Sequence, residues 1–221
     1  MTFDENWEKA HAARQWGKYP NEMLVKFIMG HYKNTPVRKD IKILEIGCGA
    51  GANLAFAAKE GFDSYAFDGS PSAIENTKRF LNAENLKATL AVEDAANIDS
   101  LFAPQLFDVI FDICTLCHMK YEEASMVVDK AIKRLKPGGR FFSVGFAQGT
   151  WGDGLGGKVA ENTYRNVREG PFAGLGIIYF AGLKDKENWA EKFSSSSIDE
   201  LSHTVNNRKN VIKYYILAAQ K

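Results

Sequence analysis

The sequence predicts an α/β fold: a doubly wound sheet of about seven strands, mostly parallel with an antiparallel C-terminal strand, preceded by N-terminal helices. Three observations predict it. Between residues 40 and 146, short apolar runs bounded by turn residues alternate with longer amphipathic segments, the pattern of strand–helix–strand units on a parallel sheet. The first run, Ile41, Ile43, Leu44 and Ile46, breaks into glycines at alternate positions, Gly47, Gly49 and Gly51, and a helix-forming stretch from Ala52 to Ala58 follows at once. The second run, Phe62 to Phe67, ends in Asp68, 17 residues after Gly51. Glycines in such a place permit positive φ and remove Cβ atoms, so a ligand can lie against bare main chain at a helix N-terminus. An acid at the tip of the second strand is placed to accept hydrogen bonds from ribose hydroxyls. The arrangement is a Rossmann-like, nucleoside-binding half of a sheet.

Taken in order, residues 4–13 read as a helix, and Asn21 to Tyr32 as a stronger one, with Asn21 as N-cap and Leu24, Phe27, Ile28 and Tyr32 on one stripe. After Asp68, Ser70-Pro71-Ser72 starts a helix that runs to about Asn82. Leu86 to Val92 is the third strand, with Glu93-Asp94-Ala95 at its tip; there Asp94 can accept from an adenine amine or cap the next turn. Phe107 to Ile113 is the fourth strand, Tyr121 to Leu135 an amphipathic helix, and Pro137-Gly138-Gly139 turns the chain into a fifth strand, Arg140 to Phe146. From Gly145 to Gly176 there are nine glycines in 32 residues, interleaved with aromatics and arginines, which argues for a mobile cover over a site rather than a plain linker; the competing reading is an excursion packed beside the sheet. Ile177 to Phe180 is a short strand, Asp185 to Phe193 a helix, Ser194 to Ser197 a turn, and Ile198 to Val205 with Val211 to Ala218 a closing antiparallel pair. The expected organisation is one domain, 1–221, divided into a helical cap (1–40), a cofactor-binding core (41–146), a glycine-rich cover loop (147–176) and C-terminal strands and helix (177–221).

The string Gly47-x-Gly49-x-x-Ala52 satisfies the dinucleotide fingerprint, which keeps an NAD-dependent dehydrogenase open. Three features point elsewhere: an acid inside the first strand at Glu45, no second dinucleotide half, and Leu135-Lys136-Pro137-Gly138-Gly139 leading into a strand. Together with Asp68, Glu93-Asp94-Ala95 and Phe107-Asp108-Val109-Ile110, the segment Glu45-x-Gly47-x-Gly49-x-Gly51 resembles the class I S-adenosylmethionine-dependent methyltransferases of the bacterial small-molecule type, over roughly residues 40–146. The resemblance implies S-adenosyl-L-methionine as cofactor and methyl transfer to a small-molecule acceptor, a sugar or another metabolite, by in-line displacement. It implies that Gly47, Cys48, Gly49, Gly51 and Asn53 cradle the donor, that Asp68 holds the ribose, and that Asp94 with Ala95 meets the adenine. It also implies that Glu45 orders the loop and reaches the methionine ammonium through water, and that main chain around Ile113 binds the amino group. The segment Trp16-Gly17-Lys18-Tyr19-Pro20-Asn21 is similar to one found upstream of the glycine loop in that family. On that footing Trp16 and Tyr19 cover the cofactor and wall the acceptor pocket; the plainer alternative is that they anchor the N-terminal helices. His118, just after the fourth strand, is the candidate catalytic base, with substrate hydrogen bonding or helix capping as its other reading. His11, His31 and His203 have no company in the sequence and read as surface residues. A cofactor-binding partner subunit that has lost catalysis is the third functional class.

Composition narrows the classes further. A net charge of +1 and a pI of about 7.7 give no global field to attract nucleic acid or an anionic membrane, so neither is an expected partner. The N-terminal residues lack the basic and apolar regions of a secretory signal, and three cysteines, an odd number, fit a reducing cytoplasm. Cys114-x-x-Cys117-His118 matches the haem-attachment and redox strings, but haem attachment needs export and a redox pair belongs on a different strand–helix context; the match reads as coincidence, and no metal is expected.

Overall fold

The computed structural model describes residues 2–221. Seven strands form its central sheet: β1 (Lys42–Ile46), β2 (Asp63–Asp68), β3 (Thr89–Val92), β4 (Phe107–Ile113), β5 (Leu135–Phe146), and two long C-terminal strands, Ser195–Val205 and Asn210–Gln220, which become β9 and β10. Their order is β3-β2-β1-β4-β5-β10-β9. The first five run parallel, and β10 is antiparallel to both neighbours. The order reverses between β1 and β4, so a crevice opens beyond their C-terminal ends, where α/β sheets bind ligands.

Both faces of the sheet are covered, which is why the central strands are almost continuously apolar. On one face Ile43, Val109 and Phe111 pack against Leu24 and Ile28 of α2 (Glu22–Tyr32). On the other, Leu44, Ile46 and Ile110 meet Val127 and Val128 of α5 (Tyr121–Arg134) and Trp189 of α6 (Leu183–Ala190). The Asn21 side chain caps α2 as expected, accepting from the Met23 and Leu24 N–H groups at 2.9 and 3.3 Å. Two further helices, α3 (Ala52–Lys59) and α4 (Pro71–Ala83), follow the first two strands, and a short α1 (Asn6–Ala13) lies across the N-terminus of α4. Among the described residues no helix is long and apolar enough to cross a membrane.

β3 starts at Thr89 rather than Leu86 and α6 spans Leu183–Ala190 rather than Asp185 to Phe193, and three further boundaries differ from the sequence reading for a visible reason. Strand β5 begins at Leu135 because Leu135 already pairs with Phe107; the register then slips before Arg140 takes up Val109, which absorbs the Pro-Gly-Gly turn into an irregular strand. The serines expected to form a turn, Ser195 to Ser197, are strand instead. They pair with Gln220, Ala219 and Ala218, whose own strand is fixed from the other side by β5. The glycine-rich excursion is also not a loop. It contains β6 (Gly157–Ala160) and β7 (Thr163–Arg165), which join β8 (Ile177–Tyr179) in a separate three-stranded antiparallel sheet. Some of its glycines serve close packing: a Cβ on Gly156 would come within 2.7 Å of the Arg165 carbonyl oxygen, and one on Gly170 would strike the Trp151 main chain.

Candidate active site

The crevice at the switch point is a cavity of ≈ 340 Å³, floored by the ends of β1, β2 and β4 and roofed by residues 2–16 and by Pro171, Phe172 and Leu175 of the excursion. One half of it is built on the glycine loop. The Gly47 and Cys48 N–H groups donate to the Phe67 carbonyl at 2.9 and 3.1 Å, which ties the loop to β2. Gly47 has φ +69°, and a side chain there would collide with Thr115. At Gly51, φ +85°, a Cβ would come within 2.7 Å of Thr77, so α3 can start hard against α4 only without one.

Two carboxylates face this loop. Asp68, 8% exposed, accepts from the Gly49 N–H through one oxygen and from the Ser70 N–H through the other, each at 2.9 Å. Burial raises its pKa, against the two N–H bonds and His11, which lower it. Glu45 is 1% exposed. One of its oxygens accepts from Asn53 Nδ2 at 3.0 Å, and the Asn53 amide oxygen accepts from the Asn21 N–H at 2.8 Å, which links the loop to the cap of α2. The second Glu45 oxygen is buried with no partner. Burial, with Asp68 and Asp112 nearby, holds this carboxyl well above its ordinary pKa, opposed by the Asn53 bond. An orphaned carboxylate oxygen in a cavity wall costs about 1–3 kcal/mol until a donor or cation meets it. No lysine or arginine stands among the described residues lining the cavity, whereas Asp4, Glu45, Asp68 and Glu93 do. The chemistry of this wall therefore fits a ligand carrying an ammonium and a second positive charge, as S-adenosylmethionine does.

The other half is aromatic. Trp7, Trp16, Phe146 and Phe172 line it, and the ring centroids of Trp7 and His118 lie 4.3 Å apart, edge to face. His118 ends a short turn that is held from below: buried Asp112 accepts from the Thr115 and Leu116 N–H groups at 2.7 and 3.0 Å and from Ser143 Oγ at 2.9 Å. The Nδ1 of His118 lies 2.9 Å from the Ile177 carbonyl. A carbonyl only accepts, so Nδ1 carries the hydrogen and Nε2 keeps a lone pair. Burial works against protonation of this ring, but the Cys117 sulfur, the Ile177 carbonyl and Asp4 outweigh it, and the imidazole titrates above its ordinary range. The Cys-x-x-Cys-His string is thus the turn that shapes the pocket floor: Cys114 takes φ +57° at the end of β4, and Cys117 is a buried thiol whose pKa burial pushes well up.

Of the residues expected at the site, the structure brings Glu45, Gly47, Cys48, Gly49, Asn53, Asp68, Ala95, Ile113, Trp16 and His118 to one cavity wall. Gly51 sits behind it, at the N-cap of α3. Tyr19 does not join them; it is 92% exposed, and the proline after it carries the chain away, so only Trp16 of the aromatic turn faces inward. For Asp94 the structure shows the capping alternative, with a further attachment beside it. Its carboxylate accepts from the Thr2 N–H and Oγ1, both at 2.7 Å, from the Phe3 N–H at 3.0 Å and from the Ala96 N–H at 2.8 Å, so it is at once a cap and the anchor of the N-terminal segment. Trp7, Phe3 and His11 are among the wall residues that the sequence reading does not point to. Phe3 covers Gly69, where a Cβ would strike its ring, and His11 is buried in the cavity wall rather than on the surface. The sequence holds a faint signal for His11: it lies four residues after Trp7 and so shares a face of α1 with it.

Comparison with known proteins agrees with this geometry. Residues 43–139 match the model of a family described as "Methyltransferase domain". A ubiquinone biosynthesis O-methyltransferase of Rickettsia akari (strain Hartford) is 28% identical over 118 residues, 53% of this chain and 44% of the relative. The chain therefore spans less than half the length of that curated relative. Among solved structures, one from the conversion of a disulfide bond into a thioacetal group during echinomycin biosynthesis superposes with a TM-score of 0.70 at 15% identity, covering 98% of this chain and 91% of the other. Magnesium protoporphyrin IX methyltransferase from Synechocystis PCC 6803 with bound SAM gives 0.59 at 12% identity, over 96% and 79%. At such identities the likeness is one of fold.

Proposed function

From the premise that this chain carries a class I S-adenosylmethionine-dependent methyltransferase domain, we propose that it transfers a methyl group to a small, uncharged acceptor that presents a flat or apolar face. The observation that carries this reading is the division of one cavity into an acidic half with an unpartnered Glu45 oxygen and an aromatic half containing His118. S-adenosylmethionine supplies the electrophilic methyl when bound. The protein's task is to hold donor and acceptor in line and keep water out. Glu45 receives the ammonium, Asp68 the ribose hydroxyls, and Phe3 with Ala95 closes the adenine end. Trp7, Trp16 and Phe172 stack on the acceptor. His118 Nε2 takes the proton from an acceptor hydroxyl as the methyl arrives, since Nδ1 is already committed to Ile177.

The lack of cations in the cavity wall weighs against phosphorylated acceptors and polynucleotides. A sugar fits through its apolar face. The name of the Rickettsia relative favours an oxygen acceptor on a quinone-type ring, which the aromatic wall suits equally. A labelled-methyl assay over neutral phenols, sugars and their phosphorylated counterparts tests the reading. Turnover is expected for neutral hydroxyl compounds, and preference for the phosphorylated set contradicts it. His118→Asn is expected to lower kcat by about 10²–10⁴-fold with little change in donor affinity. The acid limb of kcat/KM is expected above the ordinary histidine range, because only neutral His118 can accept the proton and its surroundings raise its pKa. An unchanged acid limb in that variant removes His118 from the chemistry.

A further inference from the structure

We propose that His11 is a donor-contacting residue whose uncharged ring admits a sulfonium beneath it, so that protonation of His11 disfavours the methyl donor while sparing its demethylated product. This rests on the donor reading above and extends it to a residue of the helical roof. His11 is 7% exposed on α1. The Cε1–Nε2 edge of its ring lies over the glycine loop, 3.4 and 4.0 Å from the position a Cβ would take on Gly49. Gly49 is also the residue whose N–H is held by Asp68, so the ring stands over the loop at the point where the ribose carboxylate reaches it. Trp7 and Trp16 flank the ring with centroids 5.9 and 5.0 Å away, and its Nδ1 is buried with no partner. Through Trp7, which meets His118 edge-on, His11 sits at the seam between the acidic and aromatic halves, the place a transferable methyl must cross.

The charged groups around His11 are few. Glu8 on its own helix and Asp68 at the tip of β2 both favour its protonated form, and burial, the largest influence, opposes them and holds its pKa below the ordinary value. From α4 it meets only uncharged side chains: Asn76 donates to its carbonyl, and Thr77 binds the Gly49 carbonyl beneath it. From the loop side come the Cys48 thiol, kept neutral by burial, and Glu45 farther along the same wall. At neutral pH the ring is therefore uncharged.

S-adenosylmethionine and S-adenosylhomocysteine share adenine, ribose, ammonium and carboxylate and differ in the methyl on sulfur and the charge it confers. A charge on His11 consequently separates the two ligands in a pH-dependent way, whereas packing around the methyl sets a difference that does not change with pH. Calorimetric Kd values for both ligands, taken with the wild-type protein and His11→Gln, test this. Between about pH 7.5 and about pH 5 the ratio Kd(S-adenosylmethionine)/Kd(S-adenosylhomocysteine) is expected to rise on the order of tenfold in the wild type, the scale of repulsion between nearby like charges in a partly desolvated site. In His11→Gln the residual rise, owed to titration of Asp68 and Glu45, is expected to stay within about twofold. A flat ratio in the wild type overturns the proposal without needing the variant, and so does an undiminished rise in His11→Gln. Failure of S-adenosylhomocysteine to bind near neutral pH overturns the donor reading itself, a different result from normal binding with a flat ratio.

Discussion

In the proposed reading, Glu45 is a single side chain kept for binding at the expense of stability. Its pKa is raised in the folded chain, mainly by burial, so the folded state binds its proton more tightly than the unfolded state does. Whatever stability the protonated form contributes is therefore lost as the pH rises through that elevated pKa, and above it an ionised Glu45 weakens the free protein. Glu45→Gln keeps the Asn53 contact within reach and removes the charge. The variant is expected to melt no lower than the wild type in the absence of ligand, yet to bind S-adenosylhomocysteine about 10–100-fold more weakly, the worth of a charge-assisted hydrogen bond of about 1.5–3 kcal/mol. Paired melting curves and titrations check both halves; a large drop in melting temperature with unchanged affinity gives Glu45 a structural role only. Individual residues of this kind were legible in the sequence because the acid at position 45 is out of place in an apolar strand and the acid at 68 ends one. His11 was not legible. Nothing along the chain says that α1 folds back over the glycine loop, and that contact decides whether a histidine is surface or wall.

At the level of elements, the helical roof is attached by a small number of polar contacts. Glu8 of α1 accepts from Ser70 Oγ and Ser72 Oγ, each at 2.5 Å, and from the Ser72 N–H at 3.2 Å, so a carboxylate sits on the N-terminus of α4. These hydroxyl bonds lower its pKa. Residues 2–4 make the other attachment: Thr2 and Phe3 to Asp94, and Asp4 to the Ile177 N–H at 3.1 Å. Glu8→Ala removes a capping interaction worth about 1 kcal/mol at the point where α1 docks. It is expected to weaken S-adenosylhomocysteine binding several-fold, by about 1 kcal/mol of roof docking, and to speed proteolysis within residues 5–20 while the sheet stays intact. Equal protection of that segment in wild type and variant contradicts the role given to Glu8. Element types in the core were readable because apolar periodicity and caps such as Asn21 and Ser70 are local. The small sheet of β6, β7 and β8 was not, because its pairing is non-local and Gly152, Gly156 and Gly170, read as mobility, sit at close crossings of main chain.

For the whole molecule, strand order and crevice position follow from connectivity, and the same topology brings three distant parts of the chain to one cavity. Gly47–Asp68 and Ile113–His118 supply the two parts of its floor, the donor and acceptor sides of the proposed reading, and residues 2–16 with Pro171–Leu175 the roof. The floor was visible in the sequence as motifs; the roof has no motif, since it is defined by which surfaces it covers. In the proposed reading this crevice holds a methyl donor with its ammonium on Glu45 and its ribose on Asp68. A crystal structure of the complex with S-adenosylhomocysteine puts both placements to the test. The amino group is predicted within about 3 Å of the Glu45 oxygen that lacks a partner, and both ribose hydroxyls within hydrogen-bond reach of Asp68. A crevice left empty at saturating ligand, or a ligand bound with Glu45 still unpaired, contradicts the account.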